Sequence, residues 1–404
     1  MTGRWDAVVV GGRVAGASTA MLLARAGLRV LCLDRSRRGS DTVSTHALMR
    51  AGVLQLHRWG LLDRMVEAGT PAVCRVAFFY GDDEVAVSVR PSPGVPALYA
   101  PRRTLLDAIL TDAAADAGAE VRHGVRVTGL LRGAGDRVTG VVTTGRDGRE
   151  QEEPAALVIG ADGRDSLIAA ATGAAVRFAG RSATEILYGY WAGLPQDGYR
   201  WLYRPGVSAG AIPTNEGMTC VFAGGRPEAV APLLRERGPE GALRALVDPG
   251  PLGPALRAAQ RVGTVRHVRG VPGHLRAAAG PGWALVGDAG CWKDPLSTHG
   301  MTAALRDAEL LSRAVVDAPR RGPAQTAALA AYGRLRDELS LPMLDVVERV
   351  AAHDWDLPGI RGLLRELAST MTDEIDLLES LPVDLPPAPT GGRPPEGRPA
   401  TLAS

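Results

Sequence analysis

The fold of this chain is decided by the stretch Asp6-Ala7-Val8-Val9-Val10-Gly11-Gly12-Arg13-Val14-Ala15-Gly16. Its first five residues are too few and too β-branched for a helix, which predicts a buried strand. Residues 17–26 are strong helix formers, and Gly27 is placed to end that helix. A second apolar run, 29–33, ends at Asp34. This order predicts the strand–turn–helix–strand unit of a dinucleotide-binding fold.

The turn after the first strand is predicted to hold a pyrophosphate, because a helix start offers free N–H groups and the positive end of a dipole. The predicted residues are Gly11, Gly12, Arg13, Val14, Ala15 and Gly16. Arg13 stands where the G-x-G-x-x-G pattern has its middle glycine, and its side chain is expected to turn outward and add positive charge. The Asp34 carboxylate is expected to accept from a ribose hydroxyl. The alternative is a buried βαβ unit that binds no ligand.

Length and charge limit the classes of function. A chain of 404 residues is too long for one ordinary core, so two domains plus appendages are expected. The net charge is +2, which indicates neither a nucleic acid nor an anionic membrane as partner. Lys293 is the only lysine in the sequence; every other fixed cation is arginine.

The compartment is predicted from the cysteines and the N-terminus. Cysteines stand widely apart, at 32, 74, 220 and 291, which indicates neither a disulfide framework nor a zinc site. The histidines show no metal-ligand spacing, so no metal is expected. Residues 1–5 form a short polar lead, and no apolar run approaches the ~18 residues of a membrane span. The chain is therefore predicted to be a cytoplasmic protein without a membrane segment.

The next part of the chain predicts mixed structure. Ser44-Thr45-His46 is expected to open a helix that runs to about Trp59. Residues 73–80 and 84–89 are strand-like and are joined by Gly81-Asp82-Asp83, which predicts a hairpin. An amphipathic helix over 104–117 is followed by a β-meander from 120 to 144 and by a buried strand at 156–160.

Aromatic residues crowd the middle of the chain. Six of the fourteen Tyr and Trp residues fall within sixteen positions: Tyr188, Tyr190, Trp191, Tyr199, Trp201 and Tyr203. One interpretation is that strands favour aromatic residues. The other is that they form the wall of an apolar cavity that orients a ring-containing ligand. On the second interpretation Tyr190, Trp201 and Tyr203 bind substrate.

The last third predicts one more buried strand, 283–286, and a helix from 302 to about 316. Residues 324–378 are expected to be helical with interruptions at Pro342 and Pro358. Residues 382–404, rich in Pro, Gly and Ala, are expected to be a disordered tail.

Three motifs occur in one order. The βαβ unit comes first, Gly160-Ala161-Asp162-Gly163 second, and Gly287-Asp288-Ala289 with Pro295 and Gly300-Met301 third. Over roughly residues 5–320 this order resembles the FAD-dependent aromatic hydroxylases, the single-chain flavoprotein monooxygenases of the para-hydroxybenzoate hydroxylase type. Ser40-Asp41-Thr42, Ser44-Thr45-His46 and Lys293-Asp294-Pro295 are similar to a bacterial subfamily that is often found in specialised metabolism.

The resemblance implies an α/β fold in which a Rossmann-type FAD-binding domain is interleaved with a β-sheet substrate domain and followed by C-terminal helices. The implied FAD-binding domain comprises 1–70, 99–177 and 271–320, the substrate domain 71–98 and 178–270, and the helices 321–381. The positions that would contact FAD are 11–16, Asp34, Arg35, Thr45, His46, Arg103, Val127 (through its backbone), Asp288, Pro295, Thr298, His299, Gly300 and Met301. His46 and His299 would lie near the flavin, either as catalysts or as packing residues, and the sequence assigns no catalytic base.

The implied activity is oxidation or hydroxylation of an aromatic or polyketide-like small molecule. NAD(P)H would reduce FAD, and the reduced flavin would use O₂. The sequence has no second glycine-rich βαβ motif. NAD(P)H is therefore expected to bind transiently, unless a separate flavin reductase supplies the electrons.

Three other functions share this scaffold. Halogenation is disfavoured because the N-terminal half contains no lysine to relay hypohalous acid. A flavin-dependent reductase or dehydrogenase of a polyene or isoprenoid stays open, because residues 198–206 resemble the substrate strand of geranylgeranyl reductases. A non-redox cyclase or binding protein that keeps FAD as a structural ligand also stays open, and Arg13 favours it slightly. Dependence on O₂ separates the monooxygenase from the reductase or dehydrogenase.

Overall fold

The computed structural model describes residues 5–145, 148–318 and 322–387. The strands are β1 Trp5–Val10, β2 Val30–Asp34, β3 Arg75–Tyr80, β4 Asp83–Ser88, β5 Glu120–His123, β6 Arg126–Arg132, β7 Val138–Thr144, β8 Glu150–Gly160, β9 Val176–Ala179, β10 Glu185–Ala192, β11 Tyr199–Arg204, β12 Val207–Pro213, β13 Met218–Gly225, β14 Gln260–Val268, β15 His274–Arg276, β16 Ala279–Gly280, β17 Trp283–Leu285 and β18 Cys291–Trp292. The helices are α1 Val14–Arg25, α2 Arg50–Arg58, α3 Leu62–Glu67, α4 Arg103–Asp116, α5 Leu167–Ala171, α6 Pro227–Val247, α7 Gly253–Ala258, α8 Gly300–Val316, α9 Pro323–Ala351 and α10 Leu357–Ser380.

The first sheet has eight strands, and β1 lies at its centre. Its order is β16-β17-β8-β1-β2-β5, and β7 joins it through β8 and carries β6. β1 runs parallel to both neighbours, so that Val10 pairs with Leu33 on one side and Gly160 on the other. The predicted βαβ unit, β1-α1-β2, is confirmed. So is the α/β fold with a Rossmann-type domain, an interleaved β-sheet and C-terminal helices.

Both faces of β1 are buried, which explains its uninterrupted apolar sequence. Ala7 and Val9 pack into a core with α1 and α8. Val8 and Val10 face the opposite core, which the β6–β7 meander covers. Successive side chains of a strand point to opposite faces, so one short run supplies both cores.

The second sheet has seven strands in the order β14-β10-β13-β12-β11-β3-β4. The predicted β3–β4 hairpin is confirmed as an antiparallel pair. β3 also runs parallel to β11, which brings Phe78 beside Trp201 although they are far apart in sequence. All strands of this sheet come from the two segments expected to form the substrate domain, 71–98 and 178–270. The division of the chain into these domains stays a proposal.

Five of the six aromatic residues of β10 and β11 lie on one face of the second sheet, and Trp191 lies on the other. Trp191 lies on the face that packs against α6 and α7. Tyr188 and Tyr190 lie on the other face, with residues of α9 and α10. The alternation of strand side chains separates neighbours in this way.

The C-terminal helices differ from expectation at one proline. The predicted interruption at Pro342 is wrong, because α9 continues through it. A proline removes one N–H donor from a helix, and buried neighbours such as Met343 and Val347 hold this one against the second sheet. The interruption near Pro358 is confirmed: it lies in the first turn of α10, where its missing N–H has no intrahelical partner to lose. The tail predicted as disordered lies outside the described residues from 388 onward.

The helix predicted to open at Ser44 begins instead at Arg50. His46 adopts a left-handed backbone conformation with φ of 69°, which an α-helix excludes. Leu48 then forms an isolated bridge with Tyr99. The chain from 44 to 49 is therefore an extended connection that runs beside the second sheet.

Candidate active site

The turns that follow four parallel strands meet at one edge of the first sheet, because the carboxyl ends of parallel strands point the same way. They begin at Gly11, Arg35, Ala161 and Val286. The Ala161 N–H donates to Val10 O at 2.8 Å, and the Val286 N–H donates to Gly160 O at 3.0 Å. In open α/β sheets ligands bind at this edge, where the strand order reverses.

The glycine turn is tightly packed. Gly11 has φ of 105°, and a Cβ on Gly16 would lie 1.7 Å from Gly11 O. Asp34 braces the turn, since its Oδ2 accepts from the Gly12 N–H at 2.8 Å and its Oδ1 from the Ser36 N–H at 2.6 Å. Each carboxylate oxygen keeps a further lone pair, so the predicted ribose contact of Asp34 stays a prediction.

Arg13 explains how the chain does without the middle glycine. Its backbone is extended, with φ of −94°, so this position tolerates a side chain. Its guanidinium lies 3.0 Å from Asp107 Oδ2, on α4, and also reaches Ser40. Arg103 holds the other oxygen of Asp107 at 2.9 Å. One buried carboxylate thus carries two arginines beside the turn. Asp107 is not among the residues predicted from sequence, although its four-residue spacing from Arg103 was a signal.

Two helix starts, those of α1 and α8, carry neither a side-chain cap nor an acidic residue in the first turn. Their first N–H groups have no partners within the helices, and the positive ends of the dipoles are uncompensated. α8 follows Thr298, whose φ is 49°, and starts at the exposed Gly300, where a Cβ would meet only open space. This donor set fits an anionic cofactor with a pyrophosphate, as FAD is.

Asp288 adds an acceptor to the same place. Its turn approaches α1, since a Cβ on Gly287 would lie 3.0 Å from Ala15 Cβ. Burial raises the pKa of Asp288, while Lys293 and then Arg103 act against that rise. Among the described residues no hydrogen bond joins its half-buried carboxylate. A free carboxylate beside two helix starts fits the hydroxyl-bearing chain of FAD.

The other predicted cofactor contacts lie in varied surroundings. Arg35 is exposed in the loop after β2, and Thr45 is half-buried. The Val127 side chain is packed into the core, which leaves its backbone for a ligand. Pro295 opens a short 3₁₀ turn, and Met301 is buried in the first turn of α8. Their contacts with FAD stay predictions.

His46 and Tyr190 meet between the two sheets. The Tyr190 Oη lies 2.5 Å from His46 Nε2, and both side chains are buried. Burial, and then the charges of Arg102 and Arg103, depress the pKa of His46 far below its ordinary value. Burial raises the pKa of Tyr190. The phenol is therefore protonated and donates to a neutral imidazole, whose Nδ1 has no partner in the described part of the chain.

Charged groups surround this pair. The Arg102 guanidinium carbon lies 4.0 Å from the centre of the Tyr190 ring. Arg266 donates to Asp41 at 3.0 Å, and Arg102 lies 3.9 Å from the same carboxylate. Arg102, Arg266 and Asp41 are not among the site residues predicted from sequence, because their contacts span up to 225 positions.

The other two predicted substrate residues belong to the same core as Tyr190 and pack against aromatic rings. Trp201 packs against Phe222 with ring centres 5.9 Å apart. Tyr203 packs edge-on against Trp355, of the segment before α10, at 6.1 Å. Only Tyr190 of the three presents its polar atom to a residue of the predicted flavin site. Substrate binding by Trp201 and Tyr203 stays a prediction.

A family profile described as FAD binding domain matches residues 4–192. Over these residues the chain is similar to the FAD-dependent aromatic hydroxylases and their relatives. This flavoprotein is an FAD-dependent oxidoreductase. The matched residues include the glycine turn, Asp34, the His46 segment and strand β10 with Tyr190.

The relatives of this chain include a hydroxylase and reductases. The flavoprotein is 28% identical over 395 residues to ubiquinone hydroxylase UbiL of Rhodospirillum rubrum, covering 85% of this chain and 80% of the relative. It is 28% identical over 344 residues to digeranylgeranylglycerophospholipid reductase 2 of Methanothermobacter thermautotrophicus, covering 81% and 82%. A match of 36% to the probable electron transfer flavoprotein-quinone oxidoreductase YdiS of Escherichia coli covers 42% of this chain and only 39% of that protein.

Solved structures share the fold at low identity. The probable FAD-dependent monooxygenase pqsL of Pseudomonas aeruginosa superposes with a TM-score of 0.77 at 19% identity, covering 89% of this flavoprotein and 99% of that chain. The flavin-dependent brominase Bmp2 gives 0.78 at 18% identity, covering 93% of each. Within the described residues, no helix combines the length and apolar character needed to cross a membrane.

Proposed function

We propose that this flavoprotein is a monooxygenase that uses NAD(P)H and O₂. Its substrate is an aromatic or polyketide-like small molecule that carries a phenol or enol group, and the reaction hydroxylates it. The observation that carries the proposal is the buried Tyr190–His46 hydrogen bond between the predicted flavin site and the second sheet. Bound FAD supplies hydride acceptance and activation of O₂. The residues that would hold it are the 11–16 turn, Asp34, Arg103, Asp288 and 298–301.

Tyr190, held by His46, offers a buried hydrogen-bond acceptor to a substrate hydroxyl. The phenol oxygen of Tyr190 keeps lone pairs that can accept from the substrate, while its own proton points to the neutral Nε2 of His46. A hydrogen bond from the substrate hydroxyl to this oxygen makes the substrate ring more electron-rich, which favours attack on an electrophilic oxygen. Arg102, over the Tyr190 ring, stabilises the developing anion.

The substrate class follows from the same groups. Asp41, Arg102 and Arg266 form a charged cluster beside the Tyr190 ring. Such groups favour a ligand that carries hydroxyl or carbonyl oxygens over a plain hydrocarbon chain. The reduced flavin would come from transient NAD(P)H binding or from a separate flavin reductase. A cytoplasmic location is part of the proposal, in keeping with the four free cysteines.

The experiment uses FAD-loaded protein, NADPH and a panel of phenols and hydroxylated polyketides under ¹⁸O₂. The proposal expects one ¹⁸O atom in the product and no product without O₂. Product that forms anaerobically would overturn it. Added bromide or chloride should leave the product unhalogenated, which separates this function from that of the halogenases with the same fold.

A reductase of an isoprenoid or quinone is the second candidate. The observation in its favour is that the digeranylgeranylglycerophospholipid reductase match extends over most of both chains. A reductase would consume one NADPH for each double bond lost, without O₂. Anaerobic assay of a polyprenyl substrate and a menaquinone decides between the two candidates.

A further inference from the structure

Strand β4 is an open edge of the second sheet. On one side it pairs with β3 over its whole length. On its other side no strand of the described residues pairs with it, and all six of its residues are exposed. An edge strand presents unpaired N–H and C=O groups, to which another strand can be added.

β4 lacks the features that ordinarily protect such an edge. Its sequence contains neither proline nor lysine, and its pairing with β3 shows no bulge. Val85 and Val87 are 40% and 48% exposed. They lie opposite Phe78 and Val76, whose side chains pack in the core shared with α9 and α10. The two valines therefore extend the apolar face of the sheet beyond its covered part, which favours pairing with another chain.

The hydrogen bonds of β4 limit how a partner strand can pair with it. The Val89 N–H donates to Cys74 O, on the β3 side, at 2.8 Å. Backbone groups alternate between the two sides of a strand, so the N–H groups of Glu84, Ala86 and Ser88 point away from β3. An antiparallel partner must form its hydrogen bonds with these three residues.

A second copy of the same strand meets this condition. When Ala86 lies opposite its own counterpart in an antiparallel pair, Glu84 lies opposite Ser88, and both pairs can form backbone hydrogen bonds. Val85 then lies opposite Val87 at a position without backbone hydrogen bonds, where facing side chains come closest. A two-fold axis at Ala86 makes this surface complementary to itself.

The charges that flank β4 fit the same register. Asp82 and Arg90 are exposed, and neither side chain has an ion-pair partner among the described residues. In the pairing centred on Ala86, Asp82 of each chain lies opposite Arg90 of the other. Opposite charges at facing positions stabilise a strand pair, and like charges destabilise it.

We propose that two copies of this flavoprotein form a dimer through their β4 strands, antiparallel and centred on Ala86. The dimer joins the two seven-stranded sheets into one continuous sheet and covers Val85 and Val87 in both chains. Strand β10, which carries Tyr190, lies beside the opposite edge of the sheet. The dimer is therefore independent of the proposed oxidation reaction.

The test is sedimentation equilibrium of the full-length protein, and the wild type is expected to be a dimer at micromolar concentrations. Asp82→Arg places like charges opposite each other at both ends of the pairing, so the dimer dissociation constant should rise at least about tenfold. The double variant Asp82→Arg/Arg90→Asp exchanges the two charges and should restore the wild-type constant. Glu67→Arg is the matched control, because Glu67 is an exposed acidic residue of α3 without an ion-pair partner in the described chain. It should leave the constant unchanged.

Ala86→Pro gives a second test. The variant removes an N–H that points away from β3, so the fold should tolerate it while the dimer loses its central hydrogen bonds and dissociates. Circular dichroism checks that the fold is kept. A wild type that stays monomeric at micromolar concentrations would overturn the inference and leave the β4 edge to a different partner. A dimer that persists in folded Ala86→Pro, or a charge exchange that does not restore the dimer, would overturn it as well.

Discussion

The phenol oxygen of Tyr190 lies 2.5 Å from His46 Nε2, across the boundary between the two sheets. Strand β10 supplies the tyrosine, and the extended segment before α2 supplies the histidine. The left-handed backbone of His46 places its ring against Tyr190, with ring centres 5.7 Å apart.

Tyr190→Phe should remove the hydrogen-bond acceptor for the substrate hydroxyl while leaving the packing almost unchanged. We expect the rate of substrate oxidation to fall on the order of 10²-fold, the range for loss of one preorganised hydrogen bond at a reacting group. FAD content and reduction by NADPH should be preserved. Tyr199→Phe is the matched control, because Tyr199 belongs to the same core but takes no part in the hydrogen bond between Tyr190 and His46. Equal losses in both variants would show that the Tyr190 hydroxyl has no catalytic role.

Gly300→Ala tests where the cofactor lies. A Cβ at this position meets only open space, so the variant should fold as well as the wild type and gain up to about 1 kcal/mol of helix stability. If FAD packs on the start of α8, its dissociation constant should rise about tenfold. Gly362→Ala, in α10 with the same open surroundings, should be stabilised similarly without a change in FAD affinity. Fluorescence titration measures the FAD affinity of both variants. Equal affinities would show that the cofactor does not pack on the start of α8.

Asp107→Asn should weaken FAD binding indirectly. The variant removes the carboxylate that holds Arg13 and Arg103, so the two guanidinium groups repel each other beside the glycine turn. We expect about a tenfold weaker FAD affinity and a loss of about 1–2 kcal/mol in the free energy of unfolding. Asp112→Asn, on the same helix, breaks the exposed pair with Arg38. It should change the free energy of FAD binding and the free energy of unfolding by less than about 0.5 kcal/mol each. Calorimetric titration of both variants checks this expectation.

Glu374 should contribute to acid stability. Its pKa in the folded protein, about 2, lies below that of an unfolded glutamate, so its contribution is fully present above about pH 4.5 and is lost as the pH falls toward 2. The shift corresponds to roughly 3 kcal/mol. Urea unfolding between pH 7 and pH 3 should therefore show a shallower loss of stability in Glu374→Gln than in the wild type. Parallel curves for the two proteins would contradict the pairing of the buried Glu374 carboxylate with His299 and Arg306.

Local patterns were enough to predict the first sheet and the edge at which its turns meet. The apolar run before Gly11 and the acidic end of β2 are contiguous in sequence, and so are the later Gly160 and Gly287 turns. Each turn follows a parallel strand, so the shared edge follows from the strand direction alone. The hairpin β3–β4 was predictable for the same reason.

The remaining features depend on contacts between distant parts of the chain. Periodicity could not show that His46 leaves the helical conformation, because its partner Tyr190 lies 144 positions away. Glu374 lies on an amphipathic helix where a glutamate is ordinarily solvated, and only the packed fold shows that it contacts His299. The continuation of α9 through Pro342 likewise depends on packing against the second sheet.

The most direct test of the account is the visible spectrum of FAD-loaded protein, recorded anaerobically before and after addition of NADPH in the presence of the phenolic panel. The account predicts that the flavin bands bleach with NADPH and return when air is admitted, together with formation of an oxygenated product. Flavin bands that neither NADPH nor NADH bleaches, with every phenol of the panel present, would contradict an NAD(P)H-dependent monooxygenase.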